Sequence, residues 1–378
     1  MTGDVLVTGI GVVSGFGLGV DAFWEGLLAG RDACVPAGIP EAPGARVARV
    51  EGLEARRWVR SAQGRRIDRT SLLALAAARL ALEDAGLAPE ALKPSRTALG
   101  LGSAFGNVQE TVTFLDRVFD RGTGNPMLFP NLVMNAALSY AAIELGTTGP
   151  SAMVTEQDVS GEAAIAWGAR QVAAGAADVC LAGAADELAT ELLTIGRETS
   201  TASDASPCVG EGAAVLVLES ASRAERRGAR CHVRLVPHAG FGVAAPVHGW
   251  PTRADGLARA LAPLAADVSL IVGAASGEPV LDELEAEVLA LALAGRRPAL
   301  TAPRRAIGRF GAGGALAVAA AALAIRNGVV PPVAGWPAAQ ARGLDVVTGV
   351  ARRASIRSVL VDGLARGGVC RPLRLEAP

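Results

Sequence analysis

The sequence predicts a layered α/β fold, and three observations carry that reading. Short apolar runs of strand character alternate with helical segments along the 378 residues. One helical segment, Phe310 to Ile325, is rich in Ala and Gly, which suits a helix lying at short distance from a sheet. The second half repeats the element order of the first, which suggests an internal duplication. The pseudo-boundary falls near Arg223 to Arg230, without an independent linker.

Val5 to Val13 reads as a strand leading into a Gly-rich turn. Asp68-Arg-Thr-Ser precedes the periodic run Leu72 to Ala85, closed by Gly86, a capped amphipathic helix by its start and stop signals. Thr97 to Gly102 is a short buried strand. Asn107 to Asp120 places Val108, Val112, Leu115 and Val118 at helical spacing. Gly161 to Ala174 is a helix ended by Gly175, followed by strands at Val179 to Gly183 and Ala213 to Glu219. In the second half, Ser269 to Ala275 is a strand and Leu281 to Leu293 a helix. Gly311 to Arg326 is a helix stopped by Asn327-Gly328, and strands at Ser358 to Asp362 and Arg371 to Leu375 surround a glycine loop.

Bulk properties narrow the function. Hydrophobic residues make up 51% of the chain, as a folded core requires. A net charge of −1 removes the electrostatic case for nucleic acid or an anionic membrane. Lys93 is the sole lysine, a bias assigned to genome composition. The five cysteines contain no C-x-x-C pair, which argues against a zinc site, a redox motif or a disulfide framework. Cys180 and Cys208 are expected to be buried thiols. Met1 to Gly9 shows no basic leader, and neither Gly122 to Ile143 nor Phe310 to Ile325 reads as a membrane span, so a cytoplasmic protein is expected.

Several segments, in order, resemble the β-ketoacyl synthase family. They are Val5-Leu-Val-Thr-Gly-Ile-Gly-Val-Val-Ser-Gly-Phe-Gly, Phe23-Trp-Glu-Gly-Leu-Leu-Ala-Gly, Asp68-Arg-Thr-Ser and Phe129-Pro-Asn-Leu-Val-Met-Asn. Gly149-Pro-Ser, Val209-Gly-Glu-Gly-Ala-Ala-Val-Leu-Val-Leu-Glu and Arg226-Arg-Gly-Ala follow. The resemblance implies a thiolase-like layered α-β-α-β-α fold of two pseudo-repeated halves, residues 1–222 and 223–378. The family's T-A-C-x-x-G nucleophile segment is matched to Thr155-Glu-Gln-Asp-Val-Ser-Gly161, with Asp158 at the cysteine position. A carboxylate is a poor acyl acceptor, and its charge opposes a developing oxyanion. Counting back from Asp282, the first active-site histidine falls on Ala274. The K-S-x-x-G-H pattern, here Arg304-Arg-Ala-Ile-Gly-Arg309, puts Arg309 at the second. The family's last G-F-G-G loop is Leu364-Ala-Arg-Gly-Gly368, and His232, His238 and His248 lie elsewhere. The chain is also shorter than the family leads one to expect, with trimmed loops before Pro207.

Loss of all three residues on a preserved frame suggests a different role. Gly308-Arg-Phe-Gly-Ala-Gly-Gly-Ala315 resembles the chain-length factors (KS-beta) of type II polyketide synthases. Those subunits pair with an active ketosynthase and commonly carry glutamine at the cysteine position, whereas here Gln157 sits one residue early. The resemblance implies a heterodimer with a ketosynthase (KS-alpha), a phosphopantetheine-bearing acyl carrier protein as shared partner, and no metal or organic cofactor. Thr111, Phe114, Leu115 and Val118 would then floor the partner's acyl tunnel, the alternative being ordinary helix–core contacts. Val179 to Gly183 would pair across the interface. Asp158 is expected to meet Arg309 in a charge pair, with Arg366 a second candidate partner whose amide lies on the old oxyanion-hole side. Asp158 and Ser160 also suit N-capping of the following helix, and Asp282 and Glu285 are expected to be structural. Two enzymatic readings compete. Gln157 keeps open a malonyl-carrier-protein decarboxylase, although both histidines are absent. Acyl transfer through Ser160 lacks an evident base.

Overall fold

A computed structural model describes residues 4–40, 42–62, 66–199, 208–236, 238–337 and 342–378. The expected loop trimming before Pro207 and the first three residues lie outside them. Eleven strands follow one another across a continuous sheet, with the two-residue strand Gly17–Leu18 beside it. They are β1 (Val5–Ser14), β2 (Thr97–Gly102), β3 (Ser151–Val154), β4 (Val179–Asp186), β5 (Gly212–Ser220), β6 (Val233–Val236), β7 (Leu270–Val272), β8 (Ala299–Thr301), β9 (Asp345–Val346), β10 (Ser358–Val361) and β11 (Leu373–Glu376). Their spatial order is β9-β8-β7-β10-β11-β6-β1-β5-β4-β2-β3.

That order contains one five-strand pattern twice. Numbered by appearance within each half, both runs read third, second, fourth, fifth, first. In both, the first strand is antiparallel to the fifth and the fifth to the fourth, while the remaining pairs are parallel. β1 and β6 join the two runs antiparallel, and β9 adds an extra parallel edge. The duplication suggested by element order is therefore present in the topology.

Side chains alternate between two cores along the central strands, as a period of two requires. Ala214, Leu216 and Leu218 of β5 enter the central core, while Ala213, Val215 and Val217 face the outer layer. On β7 and β10 the same alternation sends Ile271 and Leu360 outward and Leu270, Val272, Val359 and Val361 inward. The eight helices that position the site and its surroundings are α1 (Arg69–Asp84), α2 (Val108–Arg121), α3 (Ala136–Leu145), α4 (Ser160–Ala173), α5 (Ala221–Arg226), α6 (Asp255–Leu261), α7 (Pro279–Leu293) and α8 (Gly313–Asn327). The first-half strands lie between α1 with α3 and the central pair α4 and α8. The second-half strands lie between that central pair and α6 with α7. This is the expected five-layer α-β-α-β-α arrangement.

Every residue of α8 up to Ala324 is buried, and nine of those twelve are Ala or Gly, which lets the helix lie close between two sheets. α4 and α8 cross closely: a Cβ on Gly161 would lie 2.6 Å from the Ala315 nitrogen, and one on Gly314 1.8 Å from a Glu162 oxygen. No described helix is long and apolar enough to cross a membrane. The α1 start is read correctly, since the Asp68 carboxylate accepts from the Ser71 amide at 2.8 Å.

Three expectations need correction. β4 is not an edge strand: it lies between β2 and β5, fully buried, and the open edge at that end is β3. Its length and apolarity reflect burial on both faces. Cys34 and Cys208 form a disulfide, with Cα atoms 6.1 Å apart. The partners are 174 residues apart in sequence and come together because Arg46–Ala48 pairs with Val209–Gly210. Cys180, by contrast, is a buried free thiol, and burial pushes its pKa up. Finally, neither Asp158 nor Ser160 caps α4. Asp158 lies in a preceding 3₁₀ turn, and Ser160 is the first helical residue.

Candidate functional site

The residues matched to the family's catalytic positions cluster beyond the carboxyl ends of the parallel strands, where open α/β sheets build their sites. β3 runs into the 3₁₀ turn Gln157–Val159 and then into α4. The segment after β7 carries Ala274, the turn before α8 carries Arg309, and the glycine loop after β10 carries Arg366.

Asp158 is buried and paired with Arg366, not Arg309. The Arg366 Nη1 lies 3.2 Å from each carboxylate oxygen of Asp158, and the Arg366 amide donates to the same carboxylate at 3.4 Å. Arg366 Nη2 reaches Glu278 at 2.7 Å, and Arg309 Nη1 approaches the same Glu278 oxygen at 3.3 Å. The indole Nε1 of Trp250 donates to the other Glu278 oxygen at 2.8 Å, and the Arg366 guanidinium stacks 4.9 Å from the Trp250 ring. Two arginines and two carboxylates thus form one neutral network. The expected Asp158–Arg309 pair is replaced because the Arg309 backbone is tied to the strand after the disulfide. Its amide donates to Cys208 O at 2.8 Å, and its carbonyl accepts from Gly210 at 3.1 Å.

Below this network lies a second charged layer. Arg304 is almost completely buried and donates to Glu162 at 2.8 Å and to the Asp158 carbonyl at 3.2 Å. Ala274 is buried, and its amide and that of Ala275 donate to Glu285. Asp282 accepts from the Ser276 amide at 2.9 Å and from Arg305, which fixes the entry to α7. Asp282 and Glu285 are therefore structural, as expected. Burial raises the carboxyl groups of Glu162, Glu285 and Asp362, and Asp362 beside Glu285 pushes the latter further.

Gln157 behaves differently from Asp158. It is half-buried, holds a left-handed backbone (φ 50), and directs its Nε2 to Val247 O at 3.4 Å. Such a backbone in a non-glycine residue marks a strained turn of the kind found at functional sites. The Ser160 hydroxyl accepts from the Glu156 amide at 2.9 Å and donates to Gln157 O at 2.8 Å, so it bridges that turn. The segment up to Trp250 closes over the network: Val243 N donates to Gly368 O and Gly367 N to Gly249 O, both at 2.9 Å. Sequence reasoning missed Glu278 and Trp250. Glu278 stands just before Pro279 in the segment that should carry the first histidine, which was its one available signal.

Thr111, Phe114, Leu115 and Val118 lie on α2, away from this network. No residue of α2 is fully buried within the chain: Leu115 is exposed, and Thr111, Phe114 and Val118 are half-buried. Of the fourteen large hydrophobic residues exposed among the described residues, eight fall between Phe105 and Ile143. Phe119 is 81% exposed, Phe129 62% and Leu115 43%. An apolar patch concentrated in one such segment marks an interaction surface.

Comparison with known proteins agrees with this architecture. Residues 2–224 match the family model "Beta-ketoacyl synthase, N-terminal domain" and residues 244–336 match "Beta-ketoacyl synthase, C-terminal domain". The tetracenomycin polyketide synthase ketoacyl synthase alpha subunit of Streptomyces glaucescens is 31% identical, over 96% of this chain and 95% of that protein. The beta subunit of the same synthase is also 31% identical, over 96% of both chains. Among solved structures, the ishigamide ketosynthase/chain length factor superposes with a TM-score of 0.90 at 26% identity over the whole of both chains. A type II acyl-carrier protein in complex with its ketosynthase, bound to the hexaketide, gives 0.87 at 20% identity over the whole of both chains.

Proposed function

The chain belongs to the β-ketoacyl synthase family, and on that premise we propose that it is a non-condensing, chain-length-factor-like subunit of a type II polyketide synthase. One observation carries the reading. The positions matched to the nucleophile and the two histidines hold Asp158, Ala274 and Arg309, and the two charged ones belong to a single closed ionic network with Arg366 and Glu278. A carboxylate engaged by a guanidinium is a poorer acyl acceptor than a thiolate, and its charge opposes a developing oxyanion.

The partner is an active ketosynthase. Two surfaces support pairing: the open edge of β3, whose unsatisfied backbone groups suit strand addition, and the exposed apolar segment that includes α2. A homodimer would bring together two inactive sites, whereas a pseudo-symmetric heterodimer with a live ketosynthase accounts for the preserved frame. Thr111, Phe114, Leu115 and Val118 would face the partner, line its acyl tunnel and limit chain length. The growing chain arrives on the phosphopantetheine of an acyl carrier protein, in the cytoplasm. The halves 1–222 and 223–378 act as one body within this assembly.

One observation favours a second reading. Gln157 presents a half-exposed amide on a strained turn, the arrangement a decarboxylase of malonyl carrier protein would use to hold a thioester oxygen. Co-expression with the neighbouring ketosynthase, size-exclusion chromatography and a condensation assay with malonyl carrier protein separate the two. A one-to-one complex, active only with both chains present, supports the subunit. Carbon dioxide release by this chain alone supports the decarboxylase.

A further inference from the structure

At the opposite end of the first-half strands, where β2 and β4 begin, lies a cavity of about 510 Å³. Its lining includes Lys93, Arg96, Arg223, Arg226, Asp178 and Ser220. Four cations thus face one carboxylate, an excess of three positive charges in a chain whose net charge is −1. Arg96 is held by Asp178 at 2.7 Å and by two carbonyls of the turn after α4, Gly175 O and Ala176 O, at 2.9 and 3.2 Å. Arg223 is held by the buried Glu219 at 2.7 Å. Two guanidinium groups are therefore fixed in place at the cavity wall. Among the described residues Lys93 and Arg226 make no ion pair, and both are exposed at the rim.

We propose that this cavity is a binding site for a small phosphate-class dianion, free phosphate or the phosphate of a monoester, held by Lys93, Arg96, Arg223 and Arg226. Arg223, whose Nε is taken by Glu219, and the exposed Arg226 supply guanidinium donors that match phosphate oxygens. Arg96, most of whose donors are taken by Asp178, Gly175 and Ala176, adds its charge at the wall, and the exposed Lys93 ammonium completes the set. The volume suits a small molecule. The six residues of β2 separate the cavity from the ionic network by about 20 Å, so this site does not depend on the role proposed for that network.

Because Lys93 is the only lysine, amine acylation of the full-length chain reports on the cavity directly, with the α-amino group as internal reference. Peptide mass spectrometry is expected to show Lys93 labelling slowed about threefold or more by about 10 mM inorganic phosphate. Chloride at the same ionic strength should leave it unchanged, and Arg226→Gln should remove most of the protection. Adenosine monophosphate distinguishes the sources: protection by both probes identifies a monoester site, and protection by phosphate alone a free-ion site. Equal slowing by chloride, or no slowing in phosphate, overturns the proposal.

Discussion

Replacing Arg366 with methionine tests the ionic network most severely. Arg366 is the one described cation whose side chain touches the Asp158 carboxylate, and it also carries the shortest bond to Glu278. In Arg366→Met, Glu278 keeps Arg309 and Trp250, whereas Asp158 keeps no cationic partner. Orphaning a fully buried charge costs about 3–5 kcal/mol, whereas an exposed pair is worth about 0–1. The side chains here are 21%, 10% and 19% exposed, which places the cost near 2 kcal/mol. With an unfolding entropy of about 0.8 kcal/mol/K for a chain of this length, the thermal midpoint should fall by about 2–3 °C. Adding Asp158→Asn should recover about 1–2 kcal/mol, because the stranded charge is gone. Calorimetry of the four proteins in the cycle reads both numbers. A midpoint for Arg366→Met within about 0.5 °C of the parent, or strict additivity, would refute the network.

Other consequences follow from single features. Burial raises the Glu187 carboxyl to about 7, so its folded pKa lies above its unfolded value. Its contribution is greatest at low pH and falls as pH rises through that value. Glu187→Gln should therefore gain about 1–3 kcal/mol at pH 8 relative to pH 5, read by denaturant unfolding against the parent. The carboxamide oxygen retains the bond from the Gln109 amide. Thiol titration of the unreduced, denatured chain should count three cysteines, Cys180, Cys231 and Cys370, and five after reduction. Reduction should cost about 2–4 kcal/mol in a thermal scan, since the bridge closes a long loop. Phe119→Asp should leave the chain's own stability within about 0.5 kcal/mol, yet weaken ketosynthase binding tenfold or more by titration calorimetry.

The layered fold was legible because each strand between two helical layers must be apolar on both faces, and Val5 to Val13, Thr97 to Gly102 and Ala213 to Glu219 are. The resemblance, not this logic, placed Val179 to Gly183 at the interface. Burial on both faces fits an interior strand, and the edge strand Ser151–Val154 is short and mixed. At the site, the match to the family's motifs located Asp158, Arg309 and Arg366, and it put Arg309 ahead of Arg366 as the partner of Asp158, the reverse of what the structure shows. Pairing depends on the backbone anchoring of Arg309 to Cys208 and Gly210, a contact between segments a hundred residues apart. Glu278 and Trp250 escaped for the same reason, since the network that unites them joins five separate segments. The disulfide was invisible to spacing rules because strand pairing, not sequence proximity, brings Cys34 to Cys208.

The central claim is that this chain never carries the acyl group. Intact-protein mass spectrometry of the reconstituted pair, after incubation with acyl and malonyl carrier protein, tests it directly. Acyl mass is expected on the ketosynthase partner alone, with this chain unmodified and Asp158→Ala without effect on condensation. Acyl mass on this chain, or loss of condensation with Asp158→Ala, would contradict it.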